Sequence, residues 1–125
     1  MTSESAIDGA NATLHCSTSQ SATSVDWRFA PSVNETDRLI VAYSEVMEQY
    51  KQRFGHFKDG NIYILVIFRA RRNDTGLYTC QENGGQLKEH RKYLTVLNRS
   101  EPVHGKMTLL SINDVYNIIN NFPFH

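Results

Sequence analysis

The chain has 125 residues, enough for one domain and a remainder, and its 40% apolar content suffices for a hydrophobic core. Its 13 basic and 13 acidic residues cancel to a formal net charge of zero, which excludes a strong general attraction to nucleic acid or to an anionic membrane. The longest apolar run, residues 62–68, is too short to span a bilayer. We therefore expect any membrane link to lie in a segment that this sequence lacks.

Runs of alternating polar and apolar residues predict a chain built of β-strands, because successive side chains of a strand point to opposite faces. The predicted strands are residues 9–16, 25–29, 38–43, 62–68 and 92–97. The polar residues 1–8 predict a frayed end, while residues 45–51 fit either a helical turn or a further short strand. The intervening loops include 17–24 and 81–91. The fold class predicted is all-β.

The most informative stretch is Asp-Thr-Gly-Leu-Tyr-Thr-Cys at residues 74–80. Gly76 supplies the backbone freedom that a tight turn needs. The alternation that follows places Tyr78 and Cys80 on one face of a strand. A turn feeding a strand with an inward tyrosine and cysteine is therefore expected here.

Together with Cys16 and Trp27, this stretch resembles an immunoglobulin domain of the variable type, the V-set. The resemblance implies a β-sandwich of two antiparallel sheets, joined by a disulfide between Cys16 and Cys80 on which Trp27 packs. It also implies a salt bridge between Arg53 and Asp74, because V-set domains pair an Arg-Phe near strand D with the aspartate of the Asp-x-Gly turn. Residues 38–43 and 45–51 then fit the extra strands C′ and C″.

The resemblance places a V-set domain at residues 1–98 and leaves 99–125 as a linker and tail. The Phe-Gly-x-Gly of an antibody joining segment is absent, which argues against a rearranged antigen receptor. In the tail, residues 111–120 predict a short amphipathic helix. Its apolar face would hold Ile112, Val115, Tyr116 and Ile119.

Two uses of this tail are open. The helix could dock on the outer face of the strand at 62–68, in its own chain or in a neighbouring one, where Ile64, Val66 and Phe68 would point away from the core. Alternatively, the tail is a linker or the first strand of a missing second domain.

Paired cysteines and glycosylation motifs both predict an extracellular chain, at the cell surface or secreted. The motifs are Asn-x-Ser/Thr at Asn11, Asn34, Asn73 and Asn98. The start of the chain lacks the pattern of a signal peptide, so we expect a piece of a longer protein.

Catalytic and metal-binding motifs are missing from the sequence. The five histidines are scattered without metal-ligand spacing, and no nucleophile elbow or phosphate-binding glycine loop occurs. We expect no enzyme, no metal and no cofactor.

Binding remains the expected activity, since function on this fold lies in loops and sheet faces. The three loops that cluster at one end, near 17–24, 44–47 and 82–90, lack the aromatic anchors of tight paratopes. The resemblance points instead to the outer face of strands G, F, C and C′, which pairs V-set domains. The candidates on this GFCC′ face are Arg28, Val41, Tyr43, Thr79, Gln81 and Tyr93.

Three functions follow from this resemblance. The first is an adhesion or immune-type receptor module that binds a protein, including a second copy of itself, with Tyr43 and Tyr93 as anchors. The second is the ligand-binding ectodomain of a signalling receptor such as a receptor tyrosine kinase. The third is a secreted decoy or a glycan-binding domain.

Overall fold

The computed structural model describes residues 1–85 and 87–99. Its strands are β1 (Thr2–Ile7), β2 (Ala12–Ser17), β3 (Ser24–Ala30), β4 (Arg38–Ala42), β5 (Glu45–Val46), β6 (Phe54–Asp59), β7 (Ile62–Ile67), β8 (Gly76–Asn83) and β9 (Glu89–Leu97). Two 3-10 turns, Glu48–Tyr50 and Arg72–Asp74, join them. The predicted all-β V-type sandwich is confirmed.

The strands form two sheets packed face to face. The large sheet has six strands in the order β1-β9-β8-β3-β4-β5, and the small sheet has three in the order β2-β7-β6. All pairs are antiparallel except β1 with β9, which run parallel. Strands β9, β8, β3 and β4 correspond to G, F, C and C′ of the variable fold.

Strict alternation explains why these segments pair as they do. In β2 the buried residues are Ala12, Leu14 and Cys16, with an exposed residue between each. The neighbouring strand β7 buries Tyr63, Leu65 and Ile67, all at most 1% exposed. The inward faces of the two sheets thus supply one continuous core.

The core contains the disulfide that links the sheets. Cys16 of β2 and Cys80 of β8 are bonded, with their Cα atoms 6.4 Å apart. Trp27 of β3 pairs directly with Cys80 across the sheet and is fully buried. Closing a loop of 64 residues stabilises the fold by roughly 4 kcal/mol in the chain-entropy model.

The expectation of a frayed start was wrong. Residues Thr2–Ile7 form β1, which pairs with β9 along its whole length. Ala6 and Ile7 are buried, and Asp8 N–H donates to the Leu97 carbonyl at 2.8 Å. A polar segment becomes a strand here because β9 offers it a hydrogen-bonding edge.

Two loop predictions also change. Residues 45–51 contain both alternatives, since β5 is followed by the turn Glu48–Tyr50. The loop expected at 81–91 is shorter, because Gln81 pairs with Glu89 and extends both strands.

The predicted tail helix and most of the tail at 99–125 lie outside the described residues. The division into a domain and a tail therefore stays a prediction. Within the described part of the chain, no helix is long and apolar enough to cross a membrane.

Candidate recognition face

The outer face of the large sheet aligns most of the predicted partner-binding residues. Arg28 of β3 lies opposite Thr79 of β8, and Thr79 lies opposite Arg91 of β9. One register step away, Gln81 lies between Asp26 and Glu89. The result is a polar band of both charge signs across three central strands.

Tyr93 extends this band toward the edge of the sheet. It lies opposite Leu77 on β8 and opposite Ser3 on β1. Both Tyr93 and Leu77 are half-buried. The tyrosine therefore shares its surface with neighbours and is not a projecting anchor.

The prediction for Val41 was wrong, because this side chain is fully buried. The pairing of β3 with β4 shifts register: Trp27 lies opposite Val41, but Arg28 lies opposite Leu39. The additional residue, Ile40, forms a β-bulge, and Ile40 and Val41 both enter the core. Leu39 takes the outward position beside Arg28.

Tyr43 lies beyond the strand, in the two-residue turn between β4 and β5. Its side chain is 74% exposed. Tyr43 and Ser44 have φ angles of 50° and 63°, in the left-handed region that Gly and Asn favour. A tyrosine in this conformation is strained, and it persists only if the surroundings hold it.

Three hydrogen bonds hold this turn. Tyr43 N–H donates to Asp26 Oδ1 at 2.8 Å. Ser44 Oγ accepts from Val25 N–H at 3.0 Å, and Ser44 N–H donates to the Val25 carbonyl at 2.8 Å. The Asp26 carboxylate is itself fixed by Asn83 Nδ2 at 2.9 Å. The exposed ring of Tyr43 is thus attached to a backbone that these hydrogen bonds hold in place.

A shallow depression of about 180 Å³ lies between this face and the β3–β4 connection. It is lined by Arg28, Ala30, Val33, Glu35, Asp37, Leu77, Thr79, Glu89 and Arg91. Its charges pair only loosely: Arg28 lies 4.0 Å from Asp37, and Arg91 lies 3.5 Å from Glu89. These exposed groups can exchange their partners for those of an approaching surface at little cost.

At the loop end of the sandwich, a buried carboxylate joins two loops. Glu82 is 1% exposed and accepts from Ser19 N–H at 3.2 Å and from Ser19 Oγ at 2.8 Å. His90 Nε2 lies 2.7 Å from the other oxygen. Burial alone would raise the pKa of Glu82, but hydrogen bonds from His90 and Ser19 outweigh it and hold the pKa below its usual value.

Sequence reasoning missed Glu82. The signal was available, because Glu82 stands two positions after Cys80 and so shares the inward face of β8. A charged residue at an inward position of a strand requires a partner.

The same two loops also touch through glycines. A Cβ at Gly84 would lie 2.6 Å from Thr23 Oγ1, and one at Gly85 would lie 2.3 Å from Ser21 Oγ. Both glycines have positive φ. The loops therefore pack on each other at Gly84 and Gly85.

At the opposite end, Asp74 organises the turn before β8. Arg53 Nη2 lies 2.5 Å from Asp74 Oδ2, which also accepts from Arg71 N–H at 2.8 Å. Tyr78 donates its hydroxyl to the Asp74 carbonyl at 2.7 Å, and burial raises the pKa of Tyr78. Gly76 is required because a Cβ there would lie 2.4 Å from the Ala30 carbonyl oxygen.

The four predicted glycosylation asparagines are all exposed. Two of them already hold hydrogen bonds: Asn11 Oδ1 accepts from Arg69 N–H, and Asn98 Oδ1 accepts from Arg72 Nη1. Glycan attachment at these sites stays a prediction. Among residues 1–85 and 87–99, no three His, Cys, Asp or Glu side chains are grouped to hold a metal ion.

This architecture, with its inter-sheet disulfide, buried tryptophan and tyrosine turn, defines a variable-type immunoglobulin domain. The model of the immunoglobulin V-set domain family matches residues 2–97, and the chain belongs to that family. V-set domains typically act as binding modules and typically lie outside the cell.

A solved structure of similar fold is the crystal structure of the ZIG-8–RIG-5 IG1–IG1 heterodimer. A chain of that complex is 26% identical, with a TM-score of 0.66, over 77% of this chain and 82% of its own length. That neighbour pairs two immunoglobulin domains.

Proposed function

We propose that this domain is an extracellular recognition module that binds a protein partner through the GFCC′ face and the adjoining Tyr43 turn. The observation that carries the proposal is Tyr43 itself. It combines high exposure, a left-handed backbone and a hydrogen-bonded support.

Each of these properties matters for binding. A tyrosine buries a large area at a low cost in conformational entropy, which is why aromatic residues dominate interface hot spots. The pinned turn lowers that cost further, because the ring is already positioned before the partner arrives. The hairpin requires a left-handed backbone here, but Gly or Asn would adopt it with less strain than Tyr, which favours a role for the ring in recognition.

The charges on the GFCC′ face suggest how a partner would be oriented. The face carries arginines and carboxylates side by side, with Arg28 and Arg91 among Glu89 and Asp37. Such a pattern selects register and partner more than it adds affinity. Because both signs are present on one face, the pattern is compatible with a second immunoglobulin domain, a second copy of this chain included.

The ZIG-8–RIG-5 IG1–IG1 complex supports an immunoglobulin-type partner, since a domain of similar fold pairs with another immunoglobulin domain there. A homophilic adhesion or immune-type receptor is the finer proposal that we test first.

The test compares two variants on opposite faces. Tyr43→Asn removes the ring but keeps a residue that tolerates the left-handed turn. Phe57 is also an exposed aromatic residue but lies on the small sheet, so Phe57→Asn serves as the matched control. Sedimentation velocity over a concentration series measures self-association. If the chain is a monomer, the measurement of self-association is replaced by a measurement of binding to a panel of V-set domains.

Tyr43→Asn should weaken the measured association by at least about tenfold, as expected for a hot-spot aromatic. Phe57→Asn should leave it within about twofold. Equal weakening by the two variants, or none by Tyr43→Asn, would place the binding site elsewhere.

A further inference from the structure

The outer face of the small sheet is apolar along its central strand. β7 turns Ile62, Ile64 and Val66 outward, and Phe68 follows directly after its end. On the neighbouring β6, Phe57 lies opposite Ile64 and is 56% exposed. We call these five side chains the apolar strip.

Such a strip is unusual, because the outer face of an antiparallel sheet in water is normally polar. The rest of this sheet follows the rule. The outward residues of β2 are Thr13, His15 and Ser17, which lie opposite Val66, Ile64 and Ile62. The strip is therefore bounded by polar residues on one side, as a binding surface is bounded by a rim.

Two aromatic rings meet over a glycine within the strip. A Cβ at Gly55 would lie 2.9 Å from the Phe68 ring and 3.4 Å from the Phe57 ring. The rings thus occupy the space that a side chain at Gly55 would fill. They present a broad apolar surface next to the outward edge of β7.

The described part of the chain ends close to this surface. The Arg99 side chain lies beside Gly9, since a Cβ added to Gly9 would be 3.5 Å from Arg99 Nη2. Gly9 N–H in turn donates to the Ala70 carbonyl at 2.7 Å. Ala70 is two residues after Phe68. The described chain therefore ends near the end of the small sheet where Phe68 lies.

The sequence of residues 100–125 matches the strip in character. Its apolar residues Ile112, Val115, Tyr116 and Ile119 recur at helical spacing. A ten-residue helix is about 15 Å long, close to the roughly 20 Å length of a six-residue strand such as β7. We propose that residues 106–125 cover the apolar strip of their own chain.

A tethered segment is favoured over a second copy by size. Three of the five side chains, Ile64, Val66 and Phe68, are only partly exposed, so the strip offers less area than the roughly 800 Å² per partner of a standard interface. A tethered segment needs less area, because a short connection gives it an effective concentration in the millimolar range. The inference is independent of the recognition proposed for the large sheet.

Photo-crosslinking on the full chain tests this assignment. A benzophenone amino acid replaces Phe57 in one protein and Val33, which is 63% exposed in the β3–β4 connection, in a control protein. After irradiation, monomer and dimer are separated and the linked peptides are mapped by mass spectrometry. The label at 57 should link to residues 106–125 within the monomer, and the label at 33 should not.

Crosslinking into a dimer from position 57 would show that a second copy covers the strip and would overturn the proposal. The same holds if position 57 yields no link to residues 106–125.

A variant of the tail sharpens the result without altering the described domain. Val115→Asp with Ile119→Asp should reduce the link from position 57 at least about fivefold, while Asn113→Asp should leave it unchanged. An equal yield in both variants would contradict apolar docking.

Discussion

Asp74 and Glu82 lie before and near the end of the same strand, β8, and are the two buried carboxylates among the described residues. Both close an end of the sandwich by joining segments far apart in sequence. Their partners differ, since Asp74 is paired with an arginine and Glu82 with a histidine and a serine. The Arg53 guanidinium is a permanent cation, whereas the Glu82 oxygens receive hydrogen bonds from a hydroxyl, a backbone N–H and an imidazole.

The comparison shows that one strand can close both ends of the domain with different kinds of interaction, an ion pair with arginine at one end and hydrogen bonds to a buried carboxylate at the other. The Asp74 end is a fixed structural joint. The Glu82 end lies beneath the loops, and hydrogen bonds hold the pKa of its carboxyl below the usual value. Three experiments test this difference, and a fourth concerns His56, which lies outside both ends; they follow in order of decreasing expected effect.

Asp74→Ala should cost about 2–4 kcal/mol in the free energy of unfolding, because it leaves Arg53 unpaired and removes the acceptor of Arg71 N–H. Denaturant unfolding followed by Trp27 fluorescence measures this loss. Asp37→Ala is the control, since its ion pair with Arg28 is exposed and 4.0 Å long, and it should cost less than about 0.5 kcal/mol. Similar losses in both variants would contradict a special role for Asp74.

Glu82→Gln should cost about 1.5–3 kcal/mol, a smaller loss, because the amide keeps one acceptor but loses the charge-assisted bonds. Glu89→Gln, on the exposed face of the neighbouring strand, provides the matched control and should change stability little. The same unfolding measurement applies. If Glu82→Gln left the free energy of unfolding unchanged, the buried charge would contribute nothing to stability at this end.

The acid limb of stability should depend on Glu82. Since its pKa is lower in the folded than in the unfolded protein, the unfolded state binds the proton first as pH falls. The stabilisation is complete above the ordinary carboxyl pKa of about 4.3 and is lost as pH falls through the folded value. Unfolding curves between pH 6 and pH 3 should therefore decline less steeply for Glu82→Gln than for the natural chain.

A weaker dependence of stability on pH should come from His56, which lies outside both the Asp74 end and the Glu82 end of the sandwich. Burial lowers the pKa of His56, and its Nε2 has no hydrogen-bond partner within the described part of the chain. The unfolded state then binds a proton more readily, so stability should begin to fall below about pH 6.5. Replacing His56 by Phe should flatten the curve between pH 7.5 and pH 5.5, and an unchanged slope would assign the effect to another group.

The Asp74 end could be predicted from the sequence because its residues form a short motif. Asp74, Gly76, Tyr78 and Cys80 lie within seven residues, and each has one structural reason for its identity. The Glu82 end lacks such a motif. Ser19 and His90 reach Glu82 from two other segments, and only the alternation of β8 marked it as buried.

The other differences between the sequence predictions and the structure also arise from interactions that no local pattern reveals. Val41 was placed outward by period-two counting, and the bulge at Ile40 reversed its face. β1 was missed because its parallel pairing with β9 joins residues about 90 positions apart, which no local pattern reports. Tyr43 was identified as an exposed aromatic, but its left-handed turn follows from hydrogen bonds with Asp26 and Ser44 that only the structure reveals.

The two-residue strand β5 has a consequence for how this domain meets other proteins. It ends the large sheet, and the chain then leaves in the turn Glu48–Tyr50. So short an edge offers few free amide and carbonyl groups to an incoming strand, and Glu45 adds a charge to it. A partner strand therefore finds little backbone to pair with at this edge, which disfavours sheet extension and fibril seeding there. Association at this edge therefore relies on side chains, which vary from protein to protein and so permit selectivity.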